Sequence, residues 1–180
     1  MVGLANANNH ESNINYSVCN IRKFKSDNCY DMAFSLFHVM AYMNTNWDII
    51  SAFKAIRDSL RDEGIFIFDA WYGPGVLTDK PVVRVKRKNY DGKEIMRVAD
   101  PVIYANRNVV DVNYEIVILD EHPQKVSRMK ETHSMRYFFC PEIEYYLNIS
   151  GFRLVQCLDC NTLEKADFNS WTAYFVAKAI

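Results

Sequence analysis

The feature that most constrains this chain is a change of hydrophobic period near its middle. Two short continuous apolar runs, Asp31-Met-Ala-Phe-Ser-Leu-Phe37 and Ile65-Phe-Ile-Phe68, read as strands covered on both faces. Between them Trp47, Ile50, Phe53, Ile56 and Leu60 recur at helical spacing on one face. Asn46 reads as the N-cap of that helix, Asp48 sits in its first turn, Arg57 and Arg61 lie near its end, and Gly64 reads as its stop. Strand, helix, strand at these lengths predicts a right-handed crossover and a parallel pair. Upstream, Asn15 to Ile21 alternates moderately and reads as strand-like.

After Trp71-Tyr-Gly-Pro-Gly75, a loop by composition, the period falls to two. Val82 to Lys88 and Lys93 to Val98 flank Tyr90-Asp91-Gly92, a hairpin signal. Val110, Val112, Tyr114, Ile116 and Ile118 then form one buried face, and Arg128 to Phe138 continues as a further strand. These segments predict an antiparallel layer beside the parallel sheet. Pro141 opens a second helix with Ile143, Tyr146 and Leu147 inward and Gly151 at its end, and Phe152 to Cys157 and Trp171 to Ala177 read as closing strands.

Composition excludes several functions. The 180 residues hold six glycines, and Gly73-Pro74-Gly75 is their only close pair. Neither a Walker loop nor a G-x-G-x-x-G turn can be written from them, so a self-contained nucleotide-phosphate loop is not expected. Lys and Arg (21) balance Asp and Glu (22), which argues against nucleic acid or an anionic membrane as partner. No apolar stretch approaches a membrane span, and an Asn-rich start stands where a signal peptide would need an apolar run. Five scattered cysteines read as reduced thiols, and Cys157-Leu-Asp-Cys160 lacks the second pair a zinc site needs. The expected location is cytoplasmic, with no metal site.

Asn20-Ile21-Arg22, the run Asp31 to His38, the helix ending at Leu60-Arg-Asp-Glu-Gly64 and the run Ile65 to Trp71 resemble the later motifs of class I S-adenosylmethionine-dependent methyltransferases. Glu131-Thr-His133 and the segment Pro141-Glu142 to Gly151-Phe152 resemble the branch that includes amino-sugar N,N-dimethyltransferases acting on nucleotide-linked sugars. The resemblance spans nearly the whole chain. The family's first strand, its glycine-rich turn, the next helix and the acid ending the second strand have no counterpart, and Met1 to Ala5 falls within or near the helix after that strand. Those glycines would admit the methionine part of the cofactor, and that acid would bind its ribose.

The resemblance implies an α/β fold: an incomplete Rossmann-like methyltransferase sheet with an added antiparallel β layer. It would be one domain, 1–180, with 1–70 and 140–180 as the Rossmann-like portion and 71–139 as a substrate-side insertion. It implies S-adenosylmethionine as cofactor, near Asn20, Ile21, Ser35, Leu36 and Phe37. His38 could face the reacting centre or serve as a hydrogen-bonded structural residue. On a strand, Glu131, His133, Met135 and Tyr137 share a face, so Glu131 could orient His133 as the base that takes a proton from a substrate ammonium. The other reading of His133 is a solvated surface pair with Glu131. Trp71, Tyr72, Arg136 and Tyr137 could line the acceptor site or anchor the loop and core. His10 and His122 read as exposed, and Met32, Met40, Met43, Met129 and Met135 as core filler.

Three functions follow. The first is methyl transfer to an amine or similar group on a small molecule. The second is a catalytically inactive, truncated paralogue that forms a homodimer or meets a partner covering its exposed sheet edge. The third is a generic binding domain using the groove beside the antiparallel layer.

Overall fold

The two apolar runs do become adjacent parallel strands. A short helix α1 (Val2–Ala7) precedes β1 (Tyr30–Ser35), helix α2 (Asn46–Ser59) and strand β2 (Leu60–Tyr72). β1 and β2 pair in parallel, with Ala33 opposite Phe66 and Ser35 opposite Phe68. The computed structural model describes residues 1–11, 13–27, 29–120 and 125–180.

Local chemistry moves several boundaries. Thr45, not Asn46, caps α2: its hydroxyl accepts from the Asp48 N–H at 3.1 Å and donates to the Asp48 carboxylate at 2.7 Å. The hydroxyl one residue earlier is the one that reaches the third helical amide. The buried face of α2 is Ile49, Ala52, Phe53 and Ile56, and Trp47, in the first turn, is 68% exposed. The helix ends at Ser59, because Leu60 already pairs with Tyr30. Gly64 therefore lies in the irregular start of β2, where Glu63 has φ 66° and an added Cβ would come within 2.8 Å of the Arg61 carbonyl. Asn15 to Ile21 forms no strand: Asn20 instead caps a 3-10 turn, Ile21–Lys23, by accepting from the Arg22 N–H.

β2 extends beyond the expected strand to Tyr72, and Gly73–Thr78 is a short helix, α3, where a loop was expected. β3 (Arg84–Tyr90) and β4 (Lys93–Tyr104) form the expected hairpin, turned by Asp91 (φ 51°) and Gly92 (φ 66°). Positive φ at both turn residues matches the twist of the flanking strands. β5 (Val109–Asp120) and β6 (Lys125–Phe138) continue antiparallel. Helix α4 (Cys140–Asn148) has Pro141 in its first turn, and Gly151 (φ 83°) follows it. β7 (Phe152–Asp159) and β8 (Thr172–Ala179) close the chain as an antiparallel pair.

The result is a mixed α/β fold whose described residues form eight strands, in the order β3-β4-β5-β6-β2-β8-β7 with β1 also paired to β2. The antiparallel strands continue the parallel pair edge to edge. The joint is two parallel pairs, Trp71 with Tyr137 and Tyr72 with Phe138. Among the described residues β1 pairs with β2 alone, so its other side is a sheet edge.

The main core lies where α2 and α4 cover β2, β8 and β7, around Phe53, Phe66, Phe68, Phe152 and Phe175. Phe66 and Phe68 stack at 4.9 Å, and Phe68 stacks on Phe175 at 5.1 Å. A smaller core joins Ala41, Val76, Val110, Val112, Met135 and Tyr137. Met40 and Met135 are buried as filler, whereas Met32 and Met129 are exposed, because β1 is an edge strand and that part of β6 faces solvent. His10 is exposed, and His122 lies outside the described residues.

Two outcomes follow. Phe53→Ala should lower stability by about 3–5 kcal/mol in denaturant unfolding, as expected for an aromatic removed from a closed core. Asp48 is held below the usual carboxylate range by hydrogen bonds from Arg22 and Thr45. A depressed folded-state pKa adds stability above the unfolded value and loses it as pH falls through the folded one. Asp48→Asn should therefore melt below the parent at pH 7, and the difference should shrink below roughly pH 4.

Candidate functional site

Ligands of open α/β sheets sit at the carboxyl ends of the strands, and here the backbone at the end of β1 is strained. Phe37 (φ 63°) and His38 (φ 61°) are consecutive left-handed residues that are not glycine. Each such residue costs on the order of 1–3 kcal/mol unless its surroundings hold it. Asp69, buried on the neighbouring β2, supplies the hold. Its Oδ1 accepts from the His38 backbone N–H at 3.0 Å, and its Oδ2 lies 2.9 Å from His38 Nδ1, off the line of a hydrogen bond. The result turns the chain sharply and sets Phe37 and His38 at the rim of a cavity of about 370 Å³.

The far wall of that cavity comes from the antiparallel strands. Period-two alternation brings Val112, Tyr114 and Ile116 of β5 and Glu131, His133 and Met135 of β6 to the same face, with Arg97 and Trp71 beside them. His133 has both ring nitrogens engaged. Nδ1 lies 2.6 Å from the Tyr42 hydroxyl, and Nε2 lies 3.3 Å from Glu131 Oε2. Tyr42 and Tyr114 also pack edge-on against the imidazole. Burial and the nearby Tyr114 push the Tyr42 phenol up, so it keeps its proton at neutral pH.

Of the sequence-derived candidates, His38, His133, Phe37 and Trp71 thus meet in one cavity. Ile21 and Ser35 line a second one, about 360 Å³ and mostly apolar, with Phe24, Met32 and Phe66. The Ser35 hydroxyl is buried there with no hydrogen-bond partner. Asn20 and Leu36 line neither cavity: Asn20 is occupied by its cap bonds, and Leu36 is exposed in the turn.

Three acceptor-site candidates lie away from the His133 cavity. Arg136 is 4% exposed and points to the other face of β6. There it pairs with Glu142, donates to Asn46 Oδ1 at 2.9 Å and stacks over Phe138. Tyr72 is buried in the main core near Phe175. Tyr137 shares the His133 face but lies in the smaller core, away from the cavity wall. Burial raises both phenols, Tyr72 to about 12. Tyr42 is the residue that sequence reasoning missed. It sits in a 3-10 turn, Val39–Tyr42, 91 positions from His133, and no periodicity marks it.

All five cysteines are free. Cys157 stays protonated at neutral pH, its thiol pushed up by burial and the neighbouring Cys140. Among the described residues no group of three or more His, Cys, Asp or Glu side chains is placed to hold a metal ion. Nor is any described helix long and apolar enough to cross a membrane.

No protein-family model and no curated protein matches the sequence. Solved structures do match. An S-adenosylmethionine-dependent methyltransferase from Clostridium acetobutylicum superposes with a TM-score of 0.75 at 18% identity, over 91% of this chain and 63% of that one. The sugar N-methyltransferase KedS8 from Streptoalloteichus gives 0.74 at 15% identity, over 89% and 60%. CalS10, an amino pentose methyltransferase from Micromonospora echinaspora, gives 0.69 at 15%, over 90% and 63%. This chain has the methyltransferase fold. It is the Rossmann-like sheet with an added antiparallel part that the motifs implied, and it spans less than two thirds of the length of these neighbours.

Asp69→Ala should release the turn after β1. Amide exchange at His38, whose N–H donates to Asp69, should quicken by about tenfold or more, with the core amides of β2 unchanged.

Proposed function

We propose that this chain is a methyltransferase, or the part of one that carries the acceptor site, moving a methyl group from S-adenosylmethionine to an amine on a small molecule. An amino sugar, nucleotide-linked as in the branch the motifs resemble, is the acceptor class the reading favours. The observation that carries it is the hydrogen-bonded Tyr42–His133–Glu131 array in a cavity at the strand ends of a methyltransferase fold.

The apolar cavity beside β1 supports the cofactor assignment. Ile21, Phe24 and Phe66 offer an apolar wall for an adenine-sized group, and the orphaned Ser35 hydroxyl offers it a hydrogen bond. Bound there, S-adenosylmethionine supplies an electrophilic methyl group. The chain's own residues prepare the acceptor. An ammonium has no lone pair to attack with, so one proton must leave it first. That proton passes to the Tyr42 oxygen as the Tyr42 proton passes to His133 Nδ1, and Glu131 stabilises the imidazolium that forms. Trp71, Tyr114 and the latched Phe37–His38 turn hold the amine in line, and positioning dominates such a displacement.

Titration with S-adenosylmethionine and S-adenosylhomocysteine, by calorimetry and thermal shift, tests this directly. At 100 times its dissociation constant a ligand adds about 2.7 kcal/mol, a midpoint rise of roughly 5–10 °C for a chain this size. No shift in folded protein sinks the assignment. In an active preparation, His133→Ala and Tyr42→Phe should each reduce kcat by about 10²–10⁴, with cofactor affinity unchanged.

A second reading draws on the edge of β1. Met32 and Phe34 are exposed, Phe34 at 60%, along a strand whose outer side is unpaired among the described residues. Such an edge favours pairing with another strand, and a catalytically inactive chain could serve as a dimerisation module through it. In this reading a second copy covers β1, and Phe34→Lys should convert the dimer to monomer in light scattering. The working location is cytoplasmic in both readings.

A further inference from the structure

The β3–β4 hairpin carries a charge that the rest of the chain does not share. Residues 84–97 hold six Lys and Arg against two Asp and Glu, whereas the whole chain carries 21 against 22. Strand β3 concentrates it: Arg84-Val-Lys-Arg-Lys88 places four cations in five residues, and every residue of β3 is exposed. Among the described residues none of the four has an ion-pair partner. On β4, Lys86 stands directly opposite Arg97, and like charges so placed destabilise an antiparallel pair. Arg97 has no ion-pair partner among the described residues either, and packs over the Tyr114 ring.

β3 is also a sheet edge. It ends the strand order and, among the described residues, pairs with β4 alone. Every second residue therefore turns its backbone N–H and C=O to the unpaired side. Alternation sorts the side chains: Arg84, Lys86 and Lys88 project to one face, Val85 and Arg87 to the other. Val85 is 54% exposed and lies opposite Val98. Lysine on an edge blunts it against its own kind. The four cations do that for β3, since a second copy of the strand would bring like charges together. They leave the edge open to a strand of opposite charge.

We propose that the outer edge of β3 binds an acidic segment of a partner protein as an added strand. In such an addition main-chain hydrogen bonds supply affinity and alternate side chains supply specificity. Here the specificity is for carboxylates at alternate positions against Arg84, Lys86 and Lys88, an apolar residue against Val85 and a further carboxylate against Arg87. A nucleic acid or an anionic bilayer would meet the cations but brings no ladder of alternating donors and acceptors to the β3 backbone. The surface does not depend on the methyl-transfer reading and stands whether or not the cofactor binds.

Isothermal titration of the full chain at low salt with a ten-residue peptide of alternating glutamate and valine tests the proposal. Binding should saturate and weaken as salt rises. The outward amides of β3 should slow in hydrogen exchange by about tenfold or more. Lys86→Glu combined with Arg87→Glu should weaken binding by about tenfold or more. Because the first change replaces repulsion opposite Arg97 with attraction, that variant should melt at or above the parent temperature, and a clear fall overturns the claim of repulsion. The same peptide with proline at its centre lacks a ladder donor and should bind about tenfold more weakly. Equal binding of the proline peptide, or binding without slowed exchange, overturns strand addition. No binding to folded protein overturns the proposal, as does binding that the double variant retains. Tighter binding of a fifteen-nucleotide oligodeoxythymidine or of phosphatidylserine vesicles, lost in the same variant, assigns the cations to that anion and overturns it as well.

Discussion

Strand β2 is the constraint on which the rest of this structure depends. It pairs with β1 in parallel, with β8 antiparallel, and at its last two residues with β6 in parallel. Its inner side chains, Phe66 and Phe68, are also the centre of the main core: they stack on each other, Phe68 stacks on Phe175, and Phe152 packs tilted against Phe66. A strand that must satisfy hydrogen bonds on both sides and pack aromatic rings beneath α2 has little freedom of register. A one-residue slip would turn Phe66 and Phe68 to the opposite face and carry Asp69 and Trp71 with them. The register that buries the core is therefore the same register that places the site.

The candidate site is where the two sheet types meet. On one side, a buried carboxylate on β2 holds a strained turn after β1. On the other, the ribbon β3–β6 presents every second side chain to the same space, so that His133, Glu131, Tyr114 and Arg97 converge without any local motif. The two-pair joint at Trp71 and Tyr72 fixes the ribbon relative to the parallel pair. Cavity and core thus share their supports, and Arg136 illustrates the division. One residue along β6 from Met135, it turns to the other face and is consumed in a buried cluster with Glu142, Asn46 and Tyr146.

The His133 environment also shows why a histidine on a strand is more informative in space than in sequence. With Glu131 alone it would be a solvated pair. Tyr42 changes that by engaging the second ring nitrogen and linking the imidazole to the cavity. Local carboxylates at i and i+2 follow from strand geometry, but a phenol 91 positions away does not.

Much was legible in the sequence because it depends on local periodicity. The apolar runs marked β1 and β2, the period-two segments marked the ribbon, Asp91-Gly92 marked its turn, and Pro141 and Gly151 bracketed α4. The shared face of Glu131, His133 and Met135 followed from the same alternation. Boundaries set by competition were not legible. Thr45 displaced Asn46 as cap, Leu60 left the helix to pair with Tyr30, and Asn15 to Ile21 is irregular up to the turn that Asn20 caps. Tertiary structure alone decided that Tyr72 and Arg136 face the interior, that Tyr42 meets His133, and that Lys86 stands opposite Arg97. The reason is physical: periodicity records which way a side chain points relative to its own strand, whereas the register between distant strands records what it meets, and only the packed core sets that register.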